Sequence, residues 1–260
     1  MQHQIIGTTM PVLEITLDPG DRVIAEAGEL SWLTSTIELH TSTSAGANKG
    51  LFGALKRAVG GGTLFMTEYS ASGGSGLVAF ATKVPGHILP VDVTRSHGYL
   101  IHRHGFLCGT PEIELSVGFQ RSLGAGVFGG QGFVLQKIDG QGTAWVELDG
   151  EVVTYDLAAG ETLRVHPGHV GMIEATVTFD ITMLRGIRNV LFGGDGLFLA
   201  ALTGPGRVWL QSLPLSNLAH ALAPYLPSGN GGGSASNVAG AGLAGAVLGG
   251  LFGGNSQDDS

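Results

Sequence analysis

The 260-residue chain is long enough to bury a substantial core, has a formal net charge of −8, and holds 45 glycines, well above the usual share of about 7%. Thirteen Lys and Arg against 21 Asp and Glu argue against the basic surface that a nucleic-acid binder needs to displace counterions from phosphates. The single cysteine, Cys108, excludes an intramolecular disulfide and fits a reducing, cytoplasmic setting.

Met1 to Thr9 shows no charged region followed by an apolar one, so no signal peptide is expected. No apolar run reaches the roughly 20 residues of a conventional spanning helix. Abundant glycine lowers helix propensity and supplies the dihedrals of tight turns, which points to an all-β fold of many short strands. The first clear strand starts at Val12, where Leu13, Ile15 and Leu17 alternate with Val12, Glu14 and Thr16. Asp18-Pro19-Gly20-Asp21 is a turn in which Pro presets φ and Gly takes the unusual dihedral. A second strand then runs to Gly28.

This unit returns between Val153 and Gly168, and more loosely from Leu89 to Gly105, with Gly28, Gly105 and Gly168 aligned. The second half of the unit is a Phe-Gly element and a hairpin. The elements are Phe52-Gly53, Phe128-Gly129 and Phe192-Gly193. The hairpins start at Leu64, Phe133 and Leu197, turn at Gly76, Gly142 and Gly206, and return through Leu77, Thr143 and Arg207. Three related β-repeats, about 1–86, 87–150 and 151–214, are therefore expected in a domain spanning 1–214. A β-unit of this size buries one face against its siblings, as a sandwich or a prism-like pseudo-threefold body. Beyond Pro214, Ser216 reads as an N-cap, and Leu215, Leu218, Leu222 and Leu226 recur at helical spacing. A short helix near 216–223, stopped by Pro224, is expected within 215–227. Residues 228–260 read as a flexible, apolar, glycine-rich tail.

Several of these segments resemble the bacterial and archaeal relatives of a mitochondrial biogenesis family, the one named for altered inheritance of mitochondria. The resemblance rests on Ile5-Ile-Gly, Leu17-Asp-Pro-Gly, Ala25-Glu-Ala-Gly, Gly53-Ala-Leu-Lys-Arg, Leu123-Gly-Ala-Gly, Gly132-Phe-Val-Leu-Gln-Lys and Leu202-Thr-Gly-Pro-Gly-Arg-Val-Trp-Leu-Gln. It covers roughly 1–214. It implies a β-rich fold of the type first described for a tryptophan-responsive RNA-binding attenuation protein, repeated within one chain. It also implies oligomers, and it carries over no catalytic residues.

Gly124-Ala-Gly126-Val-Phe-Gly129 matches a dinucleotide-binding pattern, but that motif needs a helix to follow it, and Gly132-Phe-Val-Leu-Gln reads as strand. His102 and His104 flank Arg103 and share a face on a strand; His166 and His169 flank Pro167-Gly168. Together the two pairs are the candidate metal ligands of a cupin-like metal or small-molecule binder, set against polar histidines at strand ends. Cys108 lacks a recognisable catalytic signature and reads as an inert thiol. No carboxylate pair stands out from the acids of the turns. On a helix, Leu51, Phe52 and Leu55 face one side and Lys56 and Arg57 the other, a short basic amphipathic element suited to packing on a subunit or touching a membrane. The tail sets small residues at intervals of four, among them Gly245, Gly249 and Gly253, the spacing of close helix contacts in lipid.

The sequence thus leads to three expectations. The first is a non-enzymatic structural or scaffolding homo-oligomer, cytoplasmic or peripheral to a membrane or membrane complex. It has no cofactor and no nucleic-acid partner, and it uses residues 51–57 or the tail for contact. The second is the histidine-based cupin-like alternative. The third, RNA binding by analogy of fold, is the weakest, because fold does not carry function and the charge has the wrong sign.

Overall fold

The computed structural model describes residues 1–42, 66–121, 133–184 and 197–226. The three Phe-Gly elements, the dinucleotide-like glycines, the segment 51–57 and the tail from Pro227 onward lie outside them. The described residues form nineteen strands in four antiparallel sheets.

Strand β1 (Gln2–Ile6) precedes three blocks of six strands. Block one, residues 12–81, supplies β2 (Val12–Leu17), β3 (Arg22–Glu26), β4 (Trp32–Leu33), β5 (Ile37–Ser42), β6 (Met66–Ala71) and β7 (Gly76–Ala81). Block two, residues 86–149, supplies β8 (Gly86–Val93), β9 (Tyr99–His102), β10 (Phe106–Gly109), β11 (Ile113–Arg121), β12 (Phe133–Gly140) and β13 (Gly142–Asp149). Block three, residues 152–211, supplies β14 (Val152–Leu157), β15 (Thr162–Val165), β16 (Val170–Glu174), β17 (Thr178–Leu184), β18 (Leu197–Thr203) and β19 (Gly206–Gln211).

One pairing scheme recurs in all three blocks. The first strand pairs with the last, and the last also pairs with the third; the fifth pairs with both the second and the fourth. Each block is thus two half-sheets. Blocks are joined where β3 pairs with β10 and where β9 pairs with β16, which makes two six-stranded sheets. A four-stranded sheet of β1, β2, β7 and β4 is left at one end of the series, and a three-stranded sheet of β15, β18 and β17 at the other.

The period of two decides which residues fill the cores. Leu13, Ile15 and Leu17 are fully buried in the first core with Tyr69, Phe80 and Trp145. Along β13, Ala144, Val146 and Leu148 enter the second core while Trp145 enters the first. This strand lies inside a sheet covered on both faces, so its apolar run is almost continuous. The third core gathers Leu135, Val170, Ile181, Leu202 and Val208.

Two details depart from the sequence reading. Trp32, Cys108 and Met172 sit opposite Ala79, Trp145 and Trp209 on the paired third and sixth strands of their blocks, which makes Gly28 equivalent to His104 and Gly168. The expected alignment of Gly105 with the other two glycines is off by one, because the glycine spacing hides one residue of the turn. The helix, α1 (Leu215–Leu222), begins one residue before the expected cap, with Pro214 in extended geometry at its start. Ser216 lies inside the first turn. The free N–H groups there are met instead by the Pro214 carbonyl, which accepts from Asn217 and Leu218, and by the Asp149 carboxylate beside the Leu215 N–H. Pro224 does not end the helical path, which runs on as a 3₁₀ turn over Ala223–Tyr225.

The glycines of the Leu202 to Gln211 segment have a steric reason. Gly204 N–H donates to the Glu161 carbonyl at 3.0 Å, and Gly160 N–H donates to the Gly204 carbonyl at 3.2 Å. A methyl group at Gly204 meets the Leu157 and Ala158 carbonyl oxygens well inside contact distance, and both are backbone atoms with no freedom to turn away. Gly204→Ala is therefore expected to lose about 2 kcal/mol of stability, read as a lower denaturant midpoint at unchanged slope. Gly20→Ala serves as a comparison, since nothing lies within 4 Å of a methyl at that position and only its φ of +96° opposes it.

Candidate functional site

Among the described residues, a dense group of titratable side chains lies where blocks one and two meet. Lys83 follows β7, and its ammonium contacts Glu29 Oε2 at 2.7 Å and Glu147 Oε1 at 2.9 Å. The Lys83 backbone N–H also donates to Glu147 Oε2 at 3.2 Å. Glu147 sits mid-strand in β13 with its side chain 3% exposed, whereas that of Lys83 is 41% exposed and closes the group toward solvent. His102 Nε2 reaches the Glu147 carbonyl at 2.9 Å. Gln136, on β12, donates through Nε2 to Glu26 Oε1 at 2.6 Å. Arg103 and His104 border the same group electrostatically.

Its electrostatics follow from having more carboxylates than ammonium groups. Burial raises Glu29, and the Lys83 contact only partly opposes this. Burial alone lowers Lys83, but attraction to Glu147 and Glu29 outweighs it and holds the ammonium above its usual range. Both shifts are upward: burial dominates at Glu29, while at Lys83 one partly solvated cation serves two buried carboxyl groups and stays charged. Burial and the neighbouring Glu29 charge raise Glu26. The His104 imidazole is pushed down to about 4, first by burial and then by Arg103, Lys83 and His102, although part of the residue stays exposed. Its contribution to stability is complete above about 6.5 and declines as pH falls toward 4.

A second joint of the same design connects blocks two and three. Gln211, on β19, occupies the position of Glu147. Its Oε1 accepts from the Asp149 N–H at 3.1 Å, as Glu147 accepts from Lys83, and its Nε2 donates to the Gly168 carbonyl at 3.1 Å. His169 Nδ1 meets the Gln211 carbonyl at 2.8 Å, the counterpart of the His102 contact. In block one the equivalent position is Ala81.

The histidine candidates therefore fall in two places. His102 and His104 belong to the first joint; His166 and His169 belong to the second, with ring centroids 5.9 Å apart. His102 and His169 each have a ring nitrogen against a backbone carbonyl. Among the described residues, no group of three or more His, Cys, Asp or Glu is arranged to hold a metal ion. Cys108 is fully buried in the first core, and burial pushes its thiol well up. An open groove of about 650 Å³ lies beside the β12–β13 hairpin, lined by Arg95, Thr110, Glu112, Glu114 and Gln141.

Sequence reasoning missed Lys83, Glu29, Glu147, Glu26 and Gln136. One signal was present: Glu147 interrupts the apolar run Ala144–Leu148 of β13 where block one has Ala81 and block three has Gln211. Lys83 and Glu29 looked like ordinary loop charges.

The Glu26–Gln136 contact supports a prediction. Gln136 Oε1 is buried without a hydrogen-bond partner, and Glu26, when ionised, has no proton to offer it. Glu26→Gln adds a donor and removes a buried charge, so a gain of about 1 kcal/mol is expected at neutral pH. Because the Glu26 pKa is raised in the folded state, its penalty in the native protein grows as pH rises through that value and is absent below about 4.5. Melting curves of the variant and the native chain should therefore separate at pH 7 and converge near pH 4. Equal separation at both values would dismiss the charge argument.

Comparison with known proteins agrees with this architecture. The family model described as mitochondrial biogenesis AIM24 matches residues 3–213. An uncharacterized protein of Streptococcus pyogenes serotype M6 is 28% identical over 224 residues, which cover 84% of this chain and 88% of that protein. The crystal structure of a Streptococcus pyogenes protein superposes with a TM-score of 0.67 at 25% identity, over 86% of this chain and 99% of the other.

Proposed function

The chain belongs to the mitochondrial biogenesis AIM24 family, and from that premise we propose that it is a non-enzymatic scaffold, an assembling β protein that works at the surface of membranes or membrane-bound complexes. The observation that carries this reading is the use made of the interior polar groups. Glu147 and Gln211, both almost fully buried, each accept from a backbone N–H of the preceding block, and each has its own carbonyl met by a histidine. Groups held this way lock blocks in register and are already engaged, whereas catalytic groups need free valences aimed at a substrate. Among the described residues, no helix is long and apolar enough to cross a membrane, so the contact with the bilayer in this reading is peripheral.

The test compares the full chain with one ending at Pro227, in native-size and membrane-sedimentation profiles of cells that express each. The full chain is expected in assemblies larger than itself, partly with membranes, and the shortened chain is expected to lose the membrane fraction. If both run as single chains in the supernatant, the scaffold reading falls.

A further inference from the structure

The turns after the first, third and fifth strands of each block lie together at one end of it. In blocks one and three, hydrogen bonds tie these turns to one another. In block one, Thr36 Oγ1 donates to the Ser75 carbonyl at 3.1 Å and Ser75 Oγ donates to Asp18 Oδ1 at 2.7 Å, which engages all three turns. In block three, Gly204 bonds to both Gly160 and Glu161. One side chain does the same work in both blocks. Thr34 Oγ1 accepts from the Leu77 N–H at 2.9 Å, and Glu174 Oε2 accepts from the Arg207 N–H at 3.0 Å.

Block two is built differently. The position of Thr34 and Glu174 is held there by Thr110, two residues after Cys108, and its Oγ1 is buried without a hydrogen-bond partner. Among the described residues, no hydrogen bond joins the turn at 94–97 to Gln141. The side chains of Arg95, Glu112, Glu114 and Gln141 are exposed and have no partner among the described residues. The end therefore stays open as the groove of about 650 Å³, within the roughly 300–1,000 Å³ of small-molecule sites. The residues responsible can be read by equivalence. Arg95, Glu112 and Gln141 stand where block three has Ala159, Thr176 and Pro205. Charges on a convex face are ordinarily just solvated, but these surround a concavity that the sibling blocks close.

We infer that this groove binds a free basic amino acid, with its carboxylate on the Arg95 guanidinium and its two cationic groups on Glu112 and Glu114. The charges of the lining set the class. One cation and two carboxylates call for a ligand with one anionic and two cationic groups. A guanidinium holds a carboxylate through two parallel hydrogen bonds, which fixes the orientation of the ligand. The net charge of −8 raises the local concentration of such a cation. The inference is independent of the scaffold reading, because Arg95, Glu112 and Glu114 take no part in the joints between blocks.

The test is titration calorimetry on the full chain at physiological ionic strength, where diffuse attraction between exposed charges is screened. The probes are L-arginine, L-lysine, L-leucine and agmatine, which is arginine without its carboxylate. Saturable binding of L-arginine or L-lysine at one site is expected, with L-leucine and agmatine weaker by about tenfold or more, the worth of one charge-assisted contact. Arg95→Gln is expected to weaken the basic amino acid by a similar factor and to leave agmatine unchanged. Glu112→Gln combined with Glu114→Gln is expected to weaken both. These positions are exposed, so each variant should keep the native far-UV spectrum; Arg95→Ala replaces Arg95→Gln if that variant does not. The proposal is overturned if neither basic amino acid binds, if agmatine binds as tightly as L-arginine, or if removing the Arg95 charge leaves the affinity for L-arginine unchanged. The last two results would mean that the acidic surface merely attracts cations.

Discussion

Replacing Lys83 with methionine is expected to lower the stability of the folded chain by about 3 kcal/mol at neutral pH, with a fall in Tm of roughly 8 °C. The methionine stem keeps most of the packing, so the loss is mainly electrostatic. The Glu29 and Glu147 side chains, 9% and 3% exposed, would face each other without a cation. Removing one partner of a buried pair leaves an uncompensated charge at a cost of about 3–5 kcal/mol, and the lower end applies because Lys83 is itself partly solvated. The pH dependence has a definite sign. Glu29 is already raised by burial, and without the ammonium it takes up a proton more readily. The folded variant then binds more protons than the native fold, so the deficit narrows as pH falls through the raised value and is widest above it. Block three supplies the rescue. There a neutral Gln211 does the work of Glu147, accepting from the Asp149 N–H. Adding Glu147→Gln to Lys83→Met should recover about half of the loss, because the acceptor for the backbone N–H remains and one buried charge is gone. Urea titrations of the two single variants and the double variant give the coupling directly. A Lys83→Met chain as stable as the native one, or a double variant worse than the single, would refute this account of the joint.

The core was legible in the sequence to the extent that period-two patterning exposes it. Leu13, Ile15 and Leu17 alternate in the sequence and lie fully buried. The return strands starting at Leu77, Thr143 and Arg207 were legible too, because a glycine turn fixes where each hairpin reverses. The joints were not legible. A lysine after a strand and a glutamate after a turn look like solvated charges, and only the fold brings Lys83 and Glu29 to a residue 64 positions beyond Lys83. The helix start was misplaced for the same reason, since Asp149, remote in sequence, stands where a local serine cap was expected. The histidines drew attention because paired imidazoles suggest metals, yet His102 and His169 are equivalents neither in sequence spacing nor in strand position. They are alike only in meeting the carbonyl of the buried polar residue at each joint.

Trp145→Ala is expected to cost about 3–4 kcal/mol and to loosen block one more than block three. Trp145 is among the largest fully buried side chains, and its indole packs with residues of β2 and β7 on one side and of β8 and β10 on the other. Its ring also takes the His3 imidazole edge-on at 5.2 Å, which ties β1 to the same core. Truncation opens a void between two sheets whose strands are fixed by their own hydrogen bonds, so little collapse can refill it. Trp145→Phe separates volume from polarity. Nε1 of Trp145 is buried without a hydrogen-bond partner, so phenylalanine loses a smaller volume and sheds an unsatisfied donor, and a change under about 1.5 kcal/mol is expected. Hydrogen exchange then locates the damage. In Trp145→Ala, protection should fall in β2 and β7, while β18 in the third core keeps its native rates, because each block is stabilised chiefly by its nearest neighbour. Uniform loss of protection across all three cores would mean that the chain unfolds as one cooperative unit and that the blocks have no separate stability.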